Sequence, residues 1–299
     1  MDKVVKASSA VLGVLIFIQI MFGINFPASK VIVGQMDPIL WSNIRFLLAG
    51  IAMLVFTLLL KRKHPKVDKD FLVPLIVLSI LGMALGQGLF LMGLRYTTSI
   101  NSAILITCIP ILTLIIVVLR KQEVLSFNKF VGILMSFMGV IFMRDIQSFS
   151  LGNETLIGDL LVLSAAFCFA CYLSFGKKFF MKYDNMWSTT WMFFISSGAM
   201  ALFNINKFDQ LVNVDYSPVF FYCATFSIIG ATLLTYFLNN WALKRAPSGN
   251  VAIFIYLQPV VAGIIGYFLL KEQVTMRMLI CSGFIMCGLL FSIAKKKSS

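Results

Sequence analysis

The sequence predicts an all-α integral membrane protein in which ten transmembrane helices form two inverted five-helix repeats around a central cavity. Three observations predict it. The composition is too apolar for a soluble fold, the apolar residues fall into runs of membrane-crossing length, and the second half of the chain repeats the first.

Hydrophobic residues make up 60% of the chain and charged residues 12%, against roughly 45–50% and 25% in soluble domains. The mean hydropathy is +0.93. A soluble fold of this size has too little interior for so much apolar surface, whereas lipid tails solvate it. A spanning helix takes about 20 residues and a short loop, so 299 residues are filled by spans and hold no soluble domain. The apolar stretch that follows residues 1–6 continues to about residue 33. That is longer than the 7–15-residue core of a signal peptide, and it reads as a retained first span.

The runs lie at about 10–33, 38–60, 71–94, 97–119, 127–143, 156–176, 187–205, 217–243, 248–270 and 278–294. Backbone groups in lipid must be satisfied internally, so each run is helical. The solid apolar stretches exclude the alternating strands of a barrel. With the N-terminus on the cytoplasmic side, 18 of the 25 basic residues fall inside, 5 outside and 2, Lys30 and Arg45, within spans. The positive-inside bias therefore puts both termini in the cytoplasm and explains the net charge of +13. Nucleic acid, the usual partner of so basic a soluble protein, is excluded, because no basic stripe interleaves with surface aromatics. The loop at 61–70, which holds the only histidine, His64, reads as a basic segment meeting anionic lipid headgroups.

Residues 94–103 (LRYTTSINSA) align with 243–252 (LKRAPSGNVA), and in the same register Pro110 meets Pro259, Glu123 meets Glu272 and Gly139 meets Gly288. With a small gap, 22–30 (FGINFPASK) aligns with 169–177 (FACYLSFGK). The repeats occupy 1–150 and 151–299. Five spans per repeat, an odd number, force the halves into opposite orientations. Inverted repeats mark secondary carriers, in which two equivalent halves alternate around a midplane site.

Embedded polar residues are the first candidates for substrate binding, because a charge in lipid costs a few kcal/mol on insertion scales. Arg45 and Lys30 flank the short turn near 34–38. Arg45 suits a carboxylate through its bidentate fork. The alternatives are that Lys30 snorkels to the interface and that Arg45 pairs with helix-end carbonyls or with Asp159. Tyr236, Asn239 and Asn240 share one face of the eighth span at i, i+3 and i+4. Gln87 occupies the repeat position equivalent to Tyr236. Cavity lining and plain interhelical hydrogen bonding both fit these residues. Tyr172, Trp191, Tyr256 and Gln258 extend the same expected lining. Pro110 and Pro259 interrupt the fourth and ninth helices, each removing a hydrogen-bond donor and freeing a carbonyl, as gating bends or as static kinks. Asn101, Asn250, Glu123 and Glu272 read as structural.

These motifs, in their order and duplication, resemble the EamA branch of the drug/metabolite transporter superfamily. The matching stretches are 22–30, 45–49 (RFLLA) and 94–110 in the first half, and 158–161 (GDLL) and 246–259 in the second. The resemblance implies the ten-helix fold around a central cavity. It also implies ATP-independent transport of metabolites such as amino acids, often outward, in a bacterial inner membrane. A nucleoside-type metabolite such as S-adenosylmethionine is the competing substrate. The family's Gly-Glu pairs after the fourth and ninth spans are here Gln122-Glu123 and Lys271-Glu272, which points to a different turn geometry.

Six cysteines all fall in apolar segments, and the Cys168-x-x-Cys171 pair lies mid-span with no nearby histidine, so packing is the expected role rather than metal or disulfide. No H-E-x-x-H, G-x-S-x-G or Walker A run is present. The expectation is a transporter, not an enzyme, with no cofactor. Its partners are a small-molecule substrate and the bilayer, with a homodimer left open. Asp159 is the one titratable acid in a span, which favours exchange or facilitation over proton antiport. A passive channel shares the fold.

Overall fold

The structure, a computed structural model, describes residues 9–143, 154–204, 207, 209, 211, 214, 216–271 and 276–293. Residues 1–6, Arg144, Glu272 and the basic tail at 295–297, on which the topology and turn readings partly rest, lie outside these.

The described residues form the helices α1 (Ser9–Val33), α2 (Pro38–Leu59), α3 (Lys69–Tyr96), α4 (Ser99–Leu119), α5 (Phe127–Met143), α6 (Glu154–Lys182), α7 (Asn185–Ala201), α8 (Pro218–Arg245), α9 (Ser248–Leu270) and α10 (Met276–Ile293). Seven of them are long and apolar enough to cross a membrane by length and composition. α5 and α7, at 17 residues each, are shorter than that measure, and α10 is also outside the seven. The expected count of ten crossings is thus met outright by seven helices.

The repeat reaches down to the helix caps. Asp37 accepts from the amides of Ile39 and Leu40 at 2.9 and 3.2 Å, and its repeat counterpart Asp184 accepts from Met186 and Trp187 at 3.0 and 3.1 Å. Each satisfies donors that the first helical turn leaves open. Asp68 and Ser217 cap α3 and α8 in the same equivalent way. Within those helices, Ser79–Leu85 and Phe226–Leu234 widen into π-helical turns at equivalent positions, just before Gln87 and Tyr236. α4 breaks at Thr107, and α9 tightens to a 3-10 turn over Phe254–Leu257. Both interruptions fall within a turn upstream of Pro110 and Pro259, where the ring deprives the carbonyl four residues earlier of its donor. Lys271, at the position of one missing family glycine, turns the chain through a left-handed φ of 56°; in the first repeat the left-handed residue is Lys121, φ 53°, one before Gln122.

Helix packing repeats as well. α2 lies on α7 and α5 on α10, while α3 and the second half of α4 pack on α6 as α8 and the second half of α9 pack on α1. Side-chain contacts fix the ends of the bundle. On the face where α1 begins, Trp187 Nε1 donates to the Arg62 carbonyl at 2.9 Å and Lys182 meets Asp70 at 3.3 Å. On the opposite face, Lys207 meets Asp37 at 2.8 Å. α1 therefore leaves the starting face and α6 runs back toward it, so the repeats are inverted.

The bundle carries apolar residues outside and polar residues inside. On α2, Leu47, Ile51, Val55 and Leu58 are exposed at helical spacing, whereas Ser42, Asn43, Arg45 and Thr57 are buried. That inversion suits a lipid surround. Without a hydrophobic drive between helices in lipid, close approach of small residues supplies the contact. At the α3–α6 crossing, a Cβ on Gly158 would stand 2.9 Å from the Gly93 carbonyl oxygen.

Candidate functional site: a buried arginine beside an aromatic cleft

The equivalence of the repeats converges on one cleft at mid-bundle. Phe22 and its counterpart Phe169 both line it, as do Ile109 and its counterpart Gln258, together with Asn25, Phe26, Gln87 and Phe90. The cleft spans about 480 Å³ of empty space, part of it open to solvent. Four phenylalanines, Phe22, Phe26, Phe90 and Phe169, make its walls largely apolar.

Behind Gln87 lies Arg45, 1% exposed. Its guanidinium donates to Gln87 Oε1 at 2.6 Å and to Ser227 Oγ at 3.5 Å, and its Cζ sits 5.2 Å from the Phe46 ring. Nε has no hydrogen-bond partner. Among the described residues no carboxylate lies within ion-pair distance of Arg45. A buried charge without a counter-charge costs several kcal/mol, so this position is a net electropositive point in an apolar interior. Tyr236, also 1% exposed, lies beside Gln87 and the guanidinium. Its hydroxyl closes no hydrogen bond of good geometry. Its ring touches Phe22, Phe46, Phe169, Tyr172 and Phe193 at centroid distances of 6.0–6.5 Å.

The other expected site residues divide. Gln87 and Gln258 line the cleft. Tyr172 is fully buried, stacks on Phe169 at 5.4 Å, and donates its hydroxyl to Asn240 Oδ1. Asn240 in turn donates to Thr189 Oγ1 at 3.0 Å. This chain ties α6, α8 and α7 together and occupies Asn240 structurally. The Asn239 amide nitrogen is buried without a partner.

Two aromatic expectations do not reach the cleft. Trp191 is 38% exposed and donates Nε1 to His64 Nε2 at 2.9 Å, at the starting face. Thr190 and Phe193 occupy the inner side of α7, and the helical turn swings Trp191 outward. Tyr256 is buried, but its ring belongs to a separate apolar cluster with Ile100, Ile133 and Ile285, and its hydroxyl points to the Ile133 carbonyl at 3.4 Å.

Lys30 caps the end of α3, donating to the carbonyls of Leu94, Arg95 and Thr97 at 2.7, 3.2 and 2.6 Å. Its counterpart Lys177 donates to the Ala246 carbonyl at the opposite face. Cations there complement the negative end of a helix dipole. Asp159 accepts from Asn101 Nδ2 at 2.6 Å, so the suggested Arg45–Asp159 pair is absent. Glu123 holds Lys129 at 2.8 Å and accepts from the Gly249 amide at 3.0 Å.

Sequence reasoning missed Asn25, Ser227 and the four phenylalanines of the cleft. The signal for Asn25 was available: in the 22–30 against 169–177 alignment it is the counterpart of Tyr172.

The profile of the EamA-like transporter family matches this chain twice, over residues 9–144 and 156–294. The chain belongs to that family. Among similar proteins, the Bacillus subtilis uncharacterized transporter YoaV is 24% identical across 95% of this chain and 97% of its own length. An uncharacterized transporter of Archaeoglobus fulgidus is 27% identical across 92% and 95%. Among solved structures, one crystal structure superimposes with a TM-score of 0.71 at 16% identity, covering 91% of this chain and 94% of that one, which shows a shared fold.

Proposed function

We propose that this transporter carries a small carboxylate-bearing metabolite, an amino acid or close relative, outward across a bacterial cytoplasmic membrane by alternating access. The observation that carries this reading is Arg45. Its charge is fully buried behind Gln87, which lines the cleft, with polar neighbours but no acidic one, and a substrate carboxylate that displaces Gln87 supplies the missing counter-charge. Buried guanidinium–carboxylate bonds are short, directional and stronger than neutral ones. The equivalent interruptions of α4 and α9 beside Pro110 and Pro259 favour bending halves over a fixed pore. The starting face, rich in lysine and arginine, is the cytoplasmic one, with both termini on that side. The export direction follows the family resemblance. A nucleoside-type substrate such as S-adenosylmethionine is the competing reading: of the rings expected in the lining, Trp191 and Tyr256 lie outside the cleft, while Tyr172 stacks on the cleft residue Phe169.

The test is a thermal-shift screen of detergent-purified protein against amino acids, polyamines and nucleosides. A ligand of the folded state raises the melting point by mass action. The proposal expects an amino acid to do so, and Arg45→Met to remove the shift. Stabilisation by nucleosides alone, or an amino-acid shift that survives Arg45→Met, contradicts it.

A further inference from the structure

The cleft has two chemically different polar walls. On the α3 wall, Gln87 lines the cleft with its Oε1 already taken by Arg45 at 2.6 Å, so what it has left to offer is the amide N–H₂, beside the Tyr236 hydroxyl, with the buried guanidinium behind it. On the α1–α9 wall, Asn25 is 4% exposed, and its Oδ1 is buried without a hydrogen-bond partner. Gln258 lines the same wall and is also 4% exposed. Its Nε2 donates to Gln19 Oε1 at 2.5 Å, and Gln19 is 1% exposed. With its nitrogen held by Gln19, the Gln258 amide keeps its side-chain oxygen as an acceptor. Gly23 brings the two helices together here, since a Cβ on it would meet Val261 Cβ at 2.5 Å and the main-chain oxygen of Gln258 at 3.2 Å. Two acceptors, Asn25 Oδ1 and Gln258 Oε1, thus belong to one wall, and a buried acceptor left unsatisfied is destabilising.

We infer that Asn25 and Gln258, oriented by Gln19, form a subsite for the ammonium or other N–H-bearing group of the carboxylate that Arg45 holds. This rests on the proposed function and narrows it: the substrate is an amino carboxylate, and its des-amino analogue is rejected. Asn25 and Gln258 touch the substrate. Gln19 is a positioning residue acting through Gln258. A site built to hydrogen-bond a group discriminates against the analogue lacking it more sharply than an apolar pocket does, because its own polar atoms are left unpaired.

The experiment uses full-length purified protein. Each of the twenty amino acids is titrated by thermal shift, and the tightest binder is compared with its des-amino acid, phenylalanine with 3-phenylpropionate for example. Wild type is expected to prefer the amino acid by about tenfold or more, the effect of one charge-assisted hydrogen bond. Asn25→Leu and Gln258→Leu are expected to weaken the amino acid about tenfold and leave the des-amino acid nearly unchanged. Asn25→Asp keeps the size and adds charge, and it widens the preference. Gln19→Leu erodes the preference without touching the cleft, and Gln19→Glu, still an acceptor for Gln258 Nε2, restores it. Equal binding of the two ligands by wild type, or equal weakening of both by the Asn25 and Gln258 variants, overturns the subsite while leaving the carboxylate site standing. Loss of all binding preference for carboxylates, with Arg45→Met silent, overturns the underlying function instead.

Discussion

Replacing Arg45 by Met separates a binding arginine from a structural one, and the structure sets the size of each effect. In the folded protein the guanidinium makes one short bond, to Gln87 at 2.6 Å, and one long one, to Ser227 at 3.5 Å. Hydrogen bonds to a charged group contribute about 1.5–3 kcal/mol each, and the long one contributes at the low end or less. Against that loss stands the burial of an uncompensated charge, which costs several kcal/mol. Methionine fills a similar volume without charge, so stability is expected to stay within about 2 kcal/mol of wild type, with a bias toward stabilisation. Binding behaves differently. Losing a charge-assisted bond to a carboxylate costs about 3 kcal/mol, roughly a hundredfold in affinity. Thermal unfolding in detergent, with and without the best amino-acid ligand, measures both quantities on one sample. The reasoning fails if Arg45→Met lowers stability as much as a core truncation such as Phe46→Ala, about 3–5 kcal/mol, yet still binds ligand.

Three further predictions test the fold around the site. Lys271→Gly relieves a left-handed backbone at φ 56° and is expected to raise stability by about 1 kcal/mol, read as a higher unfolding midpoint; no rise places the strain elsewhere. Gly158→Val would drive side-chain atoms into Gly93 O and Tyr96 Cβ, each 2.9 Å from the ideal Cβ position. It separates α3 from α6, and a melting point close to wild type would contradict the tight crossing. Burial raises the pKa of the Asp37 carboxyl, but hydrogen bonds from Lys207 and from the Leu40 and Ile39 amides outweigh it and leave the value below the ordinary 3.8. A depressed carboxylate stabilises fully above its unfolded value and loses that contribution as pH falls through its folded value. The melting difference between wild type and Asp37→Asn should therefore be constant above about pH 5 and shrink on acidification below about pH 4; a difference independent of pH contradicts the Asp37–Lys207 pair.

Much of this architecture is legible in the sequence because lipid removes ambiguity. In a bilayer an apolar run has one way to satisfy its backbone, so span positions follow from hydropathy alone. The repeat register then locates the interruptions beside Pro110 and Pro259 and pairs Gln87 with Tyr236, which the fold brings side by side. Rotation about a helix axis is less legible. Trp191 and Thr190 are neighbours in sequence, yet one faces His64 and the other the interior, and both sides of α7 are apolar enough to conceal the difference. Lys30 is ambiguous for another reason. A cation near a span end serves a substrate or a helix terminus equally well until the carbonyls of Leu94, Arg95 and Thr97 are seen around it. Asn25 is legible only through the repeat, as the counterpart of Tyr172, because the helix that faces a carboxamide in an apolar span is not visible in one dimension. Its significance comes from α9 lying against α1 and from Gln19 holding Gln258.

The central claim, a carrier that moves an amino carboxylate past Arg45, is tested most directly by counterflow in proteoliposomes. Purified protein is reconstituted, vesicles are loaded with an unlabelled amino acid, and entry of the labelled form from outside is followed. The account predicts saturable uptake that preloading accelerates, through wild type but not through Arg45→Met. Flux that rises linearly with concentration, ignores preloading, or persists in the Arg45 variant would contradict it.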